Sequence, residues 1–392
     1  MSDIERLRDA WSRGILVRPW SAPTTLDLAE ALAIAAGGSA DGADAHKLAR
    51  DIGGADHIVL ALVDGLGMHL VDGLSRGSFL RAQLRRELLA VFPSSTAPAL
   101  TSLAERAPPA AHGVLAWFAY IEGADLQATV LPFVERYSKR PLSELGIEAG
   151  AVLRGPSQLG CLGPAPATLV PANIARSVYS RWFAGGAPTI GYTSLRGAID
   201  AVVARIAAAH TPTFTYFYVP YVDAAQHDHG VGHGRVRRAL RRVEARLERL
   251  AERLAIRRAR LVVTADHGLI DVPPERQHHI DAGDPLRALL RADPSGEPRL
   301  PLFHVVPGRE EAFERAFRDR FGGAFALLSS TEAAELRLFG AAPLSDTAWA
   351  RLGDYLGVPL ATTTLSYRQE TPMLGYHGGM HRDEMRVPLI VA

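Results

Sequence analysis

Acidic and histidine residues follow two runs of branched apolar residues at the points where those runs end. Residues 59–63 lead directly into Asp64 and a glycine-containing turn. Residues 260–265 lead into Asp266, and His267 comes directly after it. Carboxylates and imidazoles are the ligands that zinc and similar first-row divalent ions take in proteins. The two segments therefore predict a metal site that draws further ligands from elsewhere in the chain.

Two other segments carry ligands or a hydroxyl in a similar setting. Asp223 and His227 are four residues apart, so both side chains lie on one face if the chain is helical there. Thr96, with Pro98 two residues later, has the residue pattern of a helix N-cap. Each segment alone is a weak signal. The order of the acids, the hydroxyl and the histidines along the chain is what makes the pattern specific.

A last ligand is expected near the end of the chain. His377 is flanked by Gly375 and Gly378, where the backbone can approach a site closely. His381 competes with it, and we prefer His377 because of those glycines.

Several of these residues also have an ordinary structural interpretation. Asp64 and Asp266 each lie shortly before a glycine, so either one could be a turn residue. That both are only turn residues is a weaker interpretation, because the other expected ligands are also present in the chain. His229 and His233 could form another metal-binding face, but a solvated loop rim fits them better. His112 fits a structural hydrogen bond.

The elements that must position these residues follow from the apolar pattern. The runs before Asp64 and Asp266 predict β-strands buried on both faces, and residues 213–219 predict a third strand shortly before Asp223. In open α/β sheets the ligand crevice lies at the carboxyl ends of the strands. Residues 79–89 and 195–208 predict helices, residues 89–92 a short strand, and residues 235–254 a long helix. One apolar stripe marks the long helix: Val236, Leu240, Val243, Leu247, Leu250 and Leu254.

Length and pattern together predict a divided chain. At 392 residues one large domain with an insertion is expected. Residues 1–280 and 346–392 are predicted to form the catalytic domain, within which residues 114–181 form a lid-like region. Residues 281–345 show strand–helix–strand–helix patterning and are predicted to be an inserted αβ subdomain.

Composition narrows the classes of partner. Lys and Arg number 43 against 42 Asp and Glu, so charge gives no case for a nucleic-acid polymer or an anionic membrane. Cys161 is the only cysteine, and the N-terminus shows no signal-peptide pattern, so we expect a cytoplasmic protein. No apolar run approaches the roughly 18 residues of a membrane span. The oligomeric state stays open.

The pattern resembles the alkaline phosphatase superfamily, and within it the type I phosphodiesterase/nucleotide pyrophosphatase family. The resemblance covers about residues 55–120, 185–285 and 350–392. It implies an α/β fold, an alkaline phosphatase-like three-layer sandwich with a mostly parallel central sheet. It also implies two divalent ions, expected to be zinc, with Thr96 as the nucleophile. One ion would be held by Asp64, Asp266 and His267, and the other by Asp223, His227 and His377.

The resemblance implies hydrolysis of a small-molecule phosphate diester or nucleotide pyrophosphate in two steps. Thr96 takes the phosphoryl group with inversion, and water then hydrolyses the phosphothreonine. A threonine hydroxyl is a weak nucleophile at neutral pH and needs a metal or a base to activate it. Two ions about 3.5–4 Å apart clamp the attacking and leaving oxygens. A helix N-terminus adds N–H donors and a positive dipole end for the phosphate.

Other functions remain open on the same residues. A phosphomonoesterase or phosphonate hydrolase would be favoured by a basic or donor cluster around the free phosphoryl oxygens, and a diesterase by apolar lid contacts. A metal-dependent phosphomutase would need a second, phosphosugar pocket. A non-catalytic metal-binding protein would bind metal without turnover.

Two other classes of enzyme are disfavoured by short motifs. Sulfatases of the same superfamily need a Cys/Ser-x-Pro-x-Arg motif. The corresponding run here has Thr96 in place of the cysteine or serine and Leu100 in place of the arginine. A dinucleotide-binding enzyme is disfavoured because the run from Gly65 to Leu70 lacks the third glycine of G-x-G-x-x-G.

The chain departs from the family pattern near Trp117. The family places an asparagine shortly after a His-Gly pair, where it hydrogen-bonds a transferring oxygen, but here His112 and Gly113 lead to Trp117. The donor must come from elsewhere, and the backbone N–H of Thr96 is a candidate. Trp117 is predicted to bind substrate by stacking on a base or another flat group. An apolar lid packed on the core is the alternative.

Overall fold

The computed structural model describes residues 1–367 and 373–392, and two seven-stranded sheets organise that part of the chain. The strands, in chain order, are β1 His57–Val63, β2 Leu84–Leu89, β3 Phe118–Ile121, β4 Leu126–Thr129, β5 Val134–Glu135, β6 Ala165–Pro171, β7 Thr189–Tyr192, β8 Thr213–Val219, β9 Ala259–Thr264, β10 Ile270–Asp271, β11 Gln277–Ile280, β12 Ser295–Glu297, β13 Leu300–Phe303, β14 Phe325–Ser329, β15 Tyr355–Pro359, β16 Thr364–Tyr367, β17 Gly375–Tyr376 and β18 Arg386–Val391. The α-helices are α1 Asp3–Ser12, α2 Thr25–Ala35, α3 Ala43–Ile52, α4 Met68–Asp72, α5 Phe79–Ala82, α6 Thr96–Glu105, α7 Pro109–His112, α8 Ala149–Val152, α9 Val178–Phe183, α10 Leu195–Ala207, α11 Tyr221–His229, α12 Gly234–Leu254, α13 Glu310–Phe321, α14 Ser330–Glu335, α15 Asp346–Leu352 and α16 Arg382–Met385.

The first sheet has the strand order β2-β18-β9-β1-β8-β6-β7. The five strands from β9 to β7 are parallel, whereas β18 runs antiparallel to both β9 and β2. β1 pairs in register with β8 from His57 opposite Thr213 to Val63 opposite Val219. The strand interiors are buried, as their continuous apolar runs predict. The predicted mixed α/β fold with a mostly parallel central sheet is confirmed.

The long helix α12 packs its predicted apolar stripe inward. All six residues of that stripe are buried, and the helix lies against β9, α10 and α11. Its arginines lie off the stripe, as expected for a solvated outer face. The stripe therefore fixes which side of α12 faces the sheet.

The sequence-based prediction for residues 79–92 is wrong. The helix there ends at Ala82, and Leu84–Leu89 form strand β2, after which residues 90–92 continue without a strand. β2 pairs with β18 along the edge of the sheet and buries Leu88 and Leu89. Leu, Arg and Glu residues are good helix formers, but pairing with a strand near the chain's end overrides that weak local preference.

The second sheet is antiparallel and has the order β14-β15-β13-β12-β3-β4-β5. Its strands come from four separate parts of the chain, including the predicted lid-like region, the predicted insert and residues after 346. Phenylalanines of α13 and β13 pack beneath it. The predicted domain boundaries stay a prediction, and residues 368–372 of the predicted 346–392 segment lie outside the described residues.

Among the residues that the structure describes, no helix is both long and apolar enough to cross a membrane.

Candidate metal centre

Three carboxylates meet at the carboxyl edge of the parallel sheet. Asp64 follows β1, Asp266 follows β9, and Asp223 lies in the first turn of α11, which begins shortly after β8. The backbone N–H of Asp64 donates to the Val219 carbonyl at 3.0 Å, and that of Asp223 donates to the Asp64 carbonyl at 3.1 Å. Asp64 and Asp266 are only 3% and 1% exposed. The parallel register of the strands is thus what brings these acids together.

Several polar atoms at this edge are shielded from solvent without a hydrogen-bond partner among the described residues. They are Asp64 Oδ1, Asp266 Oδ2, Asp223 Oδ1 and His377 Nδ1. Burial raises the pKa of Asp64, and the neighbouring carboxylates of Asp266 and Asp223 raise it further. Buried charges are ordinarily paired or bound to a metal. A cation is what would complete this cluster.

The donor atoms form two compact groups. In one, ligand atoms of Asp64, Asp266 and His267 all lie within 4.8 Å of one another. In the other, the same limit holds for Asp223, His267 and His377. The sequence-based assignment placed His227, not His267, in the second group. His227 adjoins that group, because its Nε2 is 3.3 Å from Asp223 Oδ1.

Hydrogen bonds and stacking orient the histidine rings. The Nδ1–H of His227 donates to the Gly375 carbonyl at 2.8 Å, which leaves Nε2 facing Asp223. Burial opposes protonation of His227, but the Asp223 carboxylate outweighs it and raises the pKa to about 9. His377 stacks on His267 with ring centroids 3.8 Å apart. Burial and then the neighbouring His267 lower the pKa of His377, which favours the neutral imidazole that binds metals.

Thr96 stands at the start of α6, directly against this cluster. Its Oγ1 is 3.1 Å from His267 Nε2. The other ring nitrogen, His267 Nδ1, is 3.2 Å from the Gly268 carbonyl oxygen. The predicted N-cap role is wrong: Ser95 has the extended backbone of the cap residue, and Thr96 is the first helical residue. Because the helix begins one residue earlier than predicted, the Thr96 hydroxyl lies beside the candidate metal ligands and does not cap its own helix.

A cavity of 610 Å³ opens over the cluster. Trp117, the predicted substrate-binding residue, lines it together with Asp64, Thr96 and His377. Lys139, which is exposed, also lines it. Every residue predicted from sequence to take part in the site therefore lies at or beside one cleft.

Two residues that contact the cluster were missed by the sequence analysis. The Tyr218 hydroxyl donates to Asp64 Oδ2. Glu297 Oε1 accepts from the backbone N–H of Trp117 at 2.9 Å, and its Oε2 is 3.7 Å from His377 Nδ1. Burial raises the pKa of Glu297 to about 8. Tyr218 could have been found from its position at the end of the strand before Asp223, but no local signal marks Glu297.

Four other histidines weighed from the sequence lie outside the two groups of candidate metal ligands. His112 is bonded to the Ser102 hydroxyl at 2.9 Å and to the Val114 N–H at 3.0 Å. His381 is the N-cap of α16 and accepts from Asp383 N–H, so its ring is used in the chain's own structure. The rings of His229 and His233 lie 5.2 Å apart at the outer end of α11.

Comparisons with known proteins agree with this geometry. The profile of the family described as Type I phosphodiesterase / nucleotide pyrophosphatase matches residues 59–320. Among solved structures, murine ectonucleotide pyrophosphatase / phosphodiesterase 5 has a TM-score of 0.63 at 14% identity, over 85% of this chain and 87% of that one. One of its structures is an inactive threonine-to-alanine variant in complex with AMP. The human protein of the same name has a TM-score of 0.64 at 13% identity, over 85% and 87% of the two chains.

At such low identity these structures establish the fold, which is alkaline phosphatase-like, and no more. A comparison with curated proteins finds no match.

Proposed function

This chain belongs to the type I phosphodiesterase/nucleotide pyrophosphatase family, and we propose that it hydrolyses small-molecule phosphate diesters or nucleotide pyrophosphates. The position of Thr96 carries the proposal. Thr96 begins a ten-residue helix, and its hydroxyl lies 3.1 Å from His267, beside Asp64 and Asp266, which have no Lys or Arg paired to them among the described residues. The AMP complex of the murine neighbour, made with an inactive threonine variant, supports the same substrate class.

The donor set fits two divalent ions, for which we propose zinc. Oxygen and nitrogen donors without other partners suit that metal. Asp64, Asp266 and His267 would hold one ion, and Asp223, His227 and His377 the other. Bound there, the ions supply positive charge that stabilises phosphoryl oxygens and favours the ionised form of a nearby hydroxyl.

The chain's own residues then define the reaction. A bond forms from Thr96 Oγ1 to phosphorus as the bond to the leaving alcohol or nucleotide breaks. Water then cleaves the bond from phosphorus to Thr96, which releases the phosphate with the substrate's remaining organic group and restores the hydroxyl. Because Thr96 opens α6, the first N–H groups of that helix are available to the phosphate oxygens. Trp117 provides a flat wall for the organic part of the substrate.

One observation favours a phosphomonoesterase or phosphonate hydrolase as a second candidate. Lys139 lines the same cleft as Thr96 and is exposed. A cationic group there would suit an additional negative charge on a monoester or on a carboxylated phosphonate. Among the described residues, no other Lys or Arg lines the cleft. A phosphomonoesterase or phosphonate hydrolase is expected to have a cluster of basic side chains there, and Lys139 alone represents it.

Turnover of three p-nitrophenyl substrates tests the proposal. Bis-p-nitrophenyl phosphate and the p-nitrophenyl ester of thymidine monophosphate are compared with p-nitrophenyl phosphate, with and without added zinc. We expect the diesters to give the higher kcat/KM. A higher value for the monoester would move the activity to the second candidate.

The nucleophile is tested with a matched pair of variants. Thr96→Ala removes the hydroxyl and is expected to lower kcat at least about a thousandfold, whereas Thr96→Ser keeps it and retains measurable turnover. A phosphoryl adduct on Thr96 that keeps the remaining ester group of the diester, detected by mass spectrometry after acid quench of the wild type, is the direct readout. Zinc binding without turnover of any substrate would instead favour a phosphomutase or a non-catalytic metal-binding protein.

A further inference from the structure

We propose that a second cavity, next to the metal cleft, binds an apolar aromatic group of the substrate, and that this group rather than a nucleoside decides substrate choice. The inference rests on the proposed function, because the phosphate must be held in the cleft for its organic group to reach the second cavity. It is carried by the shape, the lining and the hydrogen bonding of that cavity.

The two cavities are adjacent and share lining residues. The second has a volume of 550 Å³, within the range of pockets that enclose small organic ligands. Trp117, Leu131, Tyr218 and Pro220 line both cavities. Tyr218 forms part of the wall of the second cavity while its hydroxyl donates to Asp64 in the first. A group attached to a phosphate in the cleft can therefore extend past Trp117 and Tyr218.

The linings of the two cavities differ in charge. The cleft is lined by acids, histidines and Lys139, whereas none of the described residues that line the second cavity is charged. Six of the residues that line the second cavity are aromatic: Trp117, Tyr179, Phe183, Tyr216, Tyr218 and Tyr221. The rings of Phe183 and Tyr216 are 4.7 Å apart, a distance typical of packed aromatic pairs. Such a lining favours a flat apolar ligand.

The hydroxyl groups around the second cavity are already engaged within the chain. Thr168 donates to Thr189 at 2.9 Å, and the hydroxyls of Ser177 and Ser180 are 3.0 Å apart. The Tyr179 hydroxyl lies 3.1 Å from that of Thr101. The amide of Asn173, an exposed residue, also lines the cavity. A nucleobase that filled the cavity beyond Asn173 would bury its polar edge against hydroxyls that already have partners, and an unpaired buried polar group is costly.

One hydroxyl is an exception. The Tyr216 hydroxyl is buried and has no hydrogen-bond partner among the described residues. Its oxygen is shielded from solvent, so it adds no accessible polar group to the cavity wall. The cavity is also reachable from solvent, because Tyr221 at its wall is 39% exposed and Ile174 is half-buried.

Affinity for non-hydrolysable phosphonates tests the proposal without requiring turnover. Isothermal titration calorimetry on the zinc-loaded protein compares 1-naphthylmethylphosphonate with methylphosphonate and with AMP. The naphthyl compound is expected to bind at least about tenfold more tightly than either of the others, because only it fills the apolar cavity. AMP binding as tightly as the naphthyl compound would overturn the proposal.

A matched pair of variants locates the binding. Ile174→Trp fills the cavity and is expected to abolish the preference for the naphthyl compound, whereas Ile174→Val retains it. Methylphosphonate, which is too small to reach the cavity, reports whether each variant still has an intact cleft. An unchanged naphthyl preference in Ile174→Trp would overturn the assignment to this cavity.

A neutral fluorescent probe separates the two proposals. N-phenyl-1-naphthylamine carries no phosphate, so it reports on the cavity alone, and its fluorescence should rise with wild type and Ile174→Val but not with Ile174→Trp. If no phosphonate binds while the probe does, the proposed function fails and the apolar site stands. If the probe does not bind, the apolar site is wrong even if phosphate diesters are hydrolysed.

Discussion

Two groups of buried acids in this protein differ in whether the chain itself supplies their counter-charge. The side chains of Glu384 and Arg299 are both fully buried and form two bonds to each other, at 2.9 and 2.6 Å. The Arg299 guanidinium also donates to the carbonyls of Ala361 and Thr363, and Glu384 also accepts from the N–H of Gly379. Four of the five N–H groups of Arg299 and both carboxylate oxygens of Glu384 are therefore engaged.

The acids of the metal centre are the opposite case. Asp64, Asp266 and Asp223 converge with no Lys or Arg paired to them among the described residues, and one oxygen of each has no hydrogen-bond partner. The one cationic group that faces them in the described part of the chain is His227, beside Asp223. The comparison teaches how to separate a structural charge cluster from a functional one. Burial alone does not distinguish them, but completeness of the hydrogen bonding and charge balance does. The ion pair also stabilises the segment 375–384, which carries His377.

Breaking the complete cluster is expected to have the largest effect on stability. Glu384→Gln leaves the Arg299 charge buried without its partner and should lower the free energy of unfolding by about 3–5 kcal/mol. Glu87→Gln removes the acid of the exposed pair with Arg386 and should cost less than about 1 kcal/mol. Urea unfolding of both variants measures the difference. Equal losses would contradict the comparison.

The incomplete cluster should make the metal-free protein less stable as pH rises. His227 has a folded pKa of about 9 and Glu297 of about 8, both above their ordinary values of 6.5 and 4.5. Each of these side chains binds its proton more tightly in the folded protein than in the unfolded chain. The stability that this proton contributes is therefore fully present below the ordinary pKa and is lost as pH rises through the raised, folded-state pKa. Between pH 7 and 9 the loss is up to about 1.4 kcal/mol per pH unit for each proton released.

Thermal unfolding of the metal-free protein at pH 7, 8 and 9 measures this loss, and Glu297→Gln should reduce the slope. With zinc present the sign should reverse, because metal binding competes with protons and strengthens as pH rises. Stability that increases with pH in the absence of metal would count against an uncompensated acidic cluster.

Neutralising one acid of the metal centre should stabilise the metal-free protein, in contrast to Glu384→Gln. Asp64→Asn removes repulsion with Asp266 and Asp223 and is expected to raise the free energy of unfolding at pH 8 by about 1 kcal/mol. The same change should weaken zinc binding at least about tenfold. Urea unfolding and competition with a zinc chelator are the two measurements. Destabilisation without loss of zinc affinity would assign Asp64 to the structure alone.

The smallest change concerns the orientation of Asp64. Tyr218→Phe removes only the hydroxyl that donates to Asp64 Oδ2 and keeps the ring that lines the apolar cavity. We expect a loss of stability of about 1 kcal/mol and a zinc affinity about tenfold lower. The matched control is Tyr192→Phe, whose hydroxyl donates to a backbone carbonyl, that of Tyr218, and not to a candidate ligand. It should leave zinc affinity unchanged.

Local sequence determined much of the framework of this protein. The apolar run before Asp64, the strand 213–219 and the stripe of α12 were predicted with boundaries close to those observed, because a continuous apolar run and a period of 3.6 residues are both established by neighbouring residues. The helical spacing of Asp223 and His227 was also visible, and α11 bears it out. The family pattern predicted that the acids, the histidines and Thr96 meet at one site.

Only the tertiary structure decided how that site is completed. Residues 84–89 became a strand because β18, about 300 residues later, pairs with them. The hydrogen bond from Trp117 to Glu297 joins residues 180 positions apart, and the hydroxyl of Tyr218 reaches Asp64 across 154. The apolar cavity is formed by segments that share no motif. Contacts of this range depend on how whole elements pack, and packing leaves no periodic signal in any one stretch of the chain.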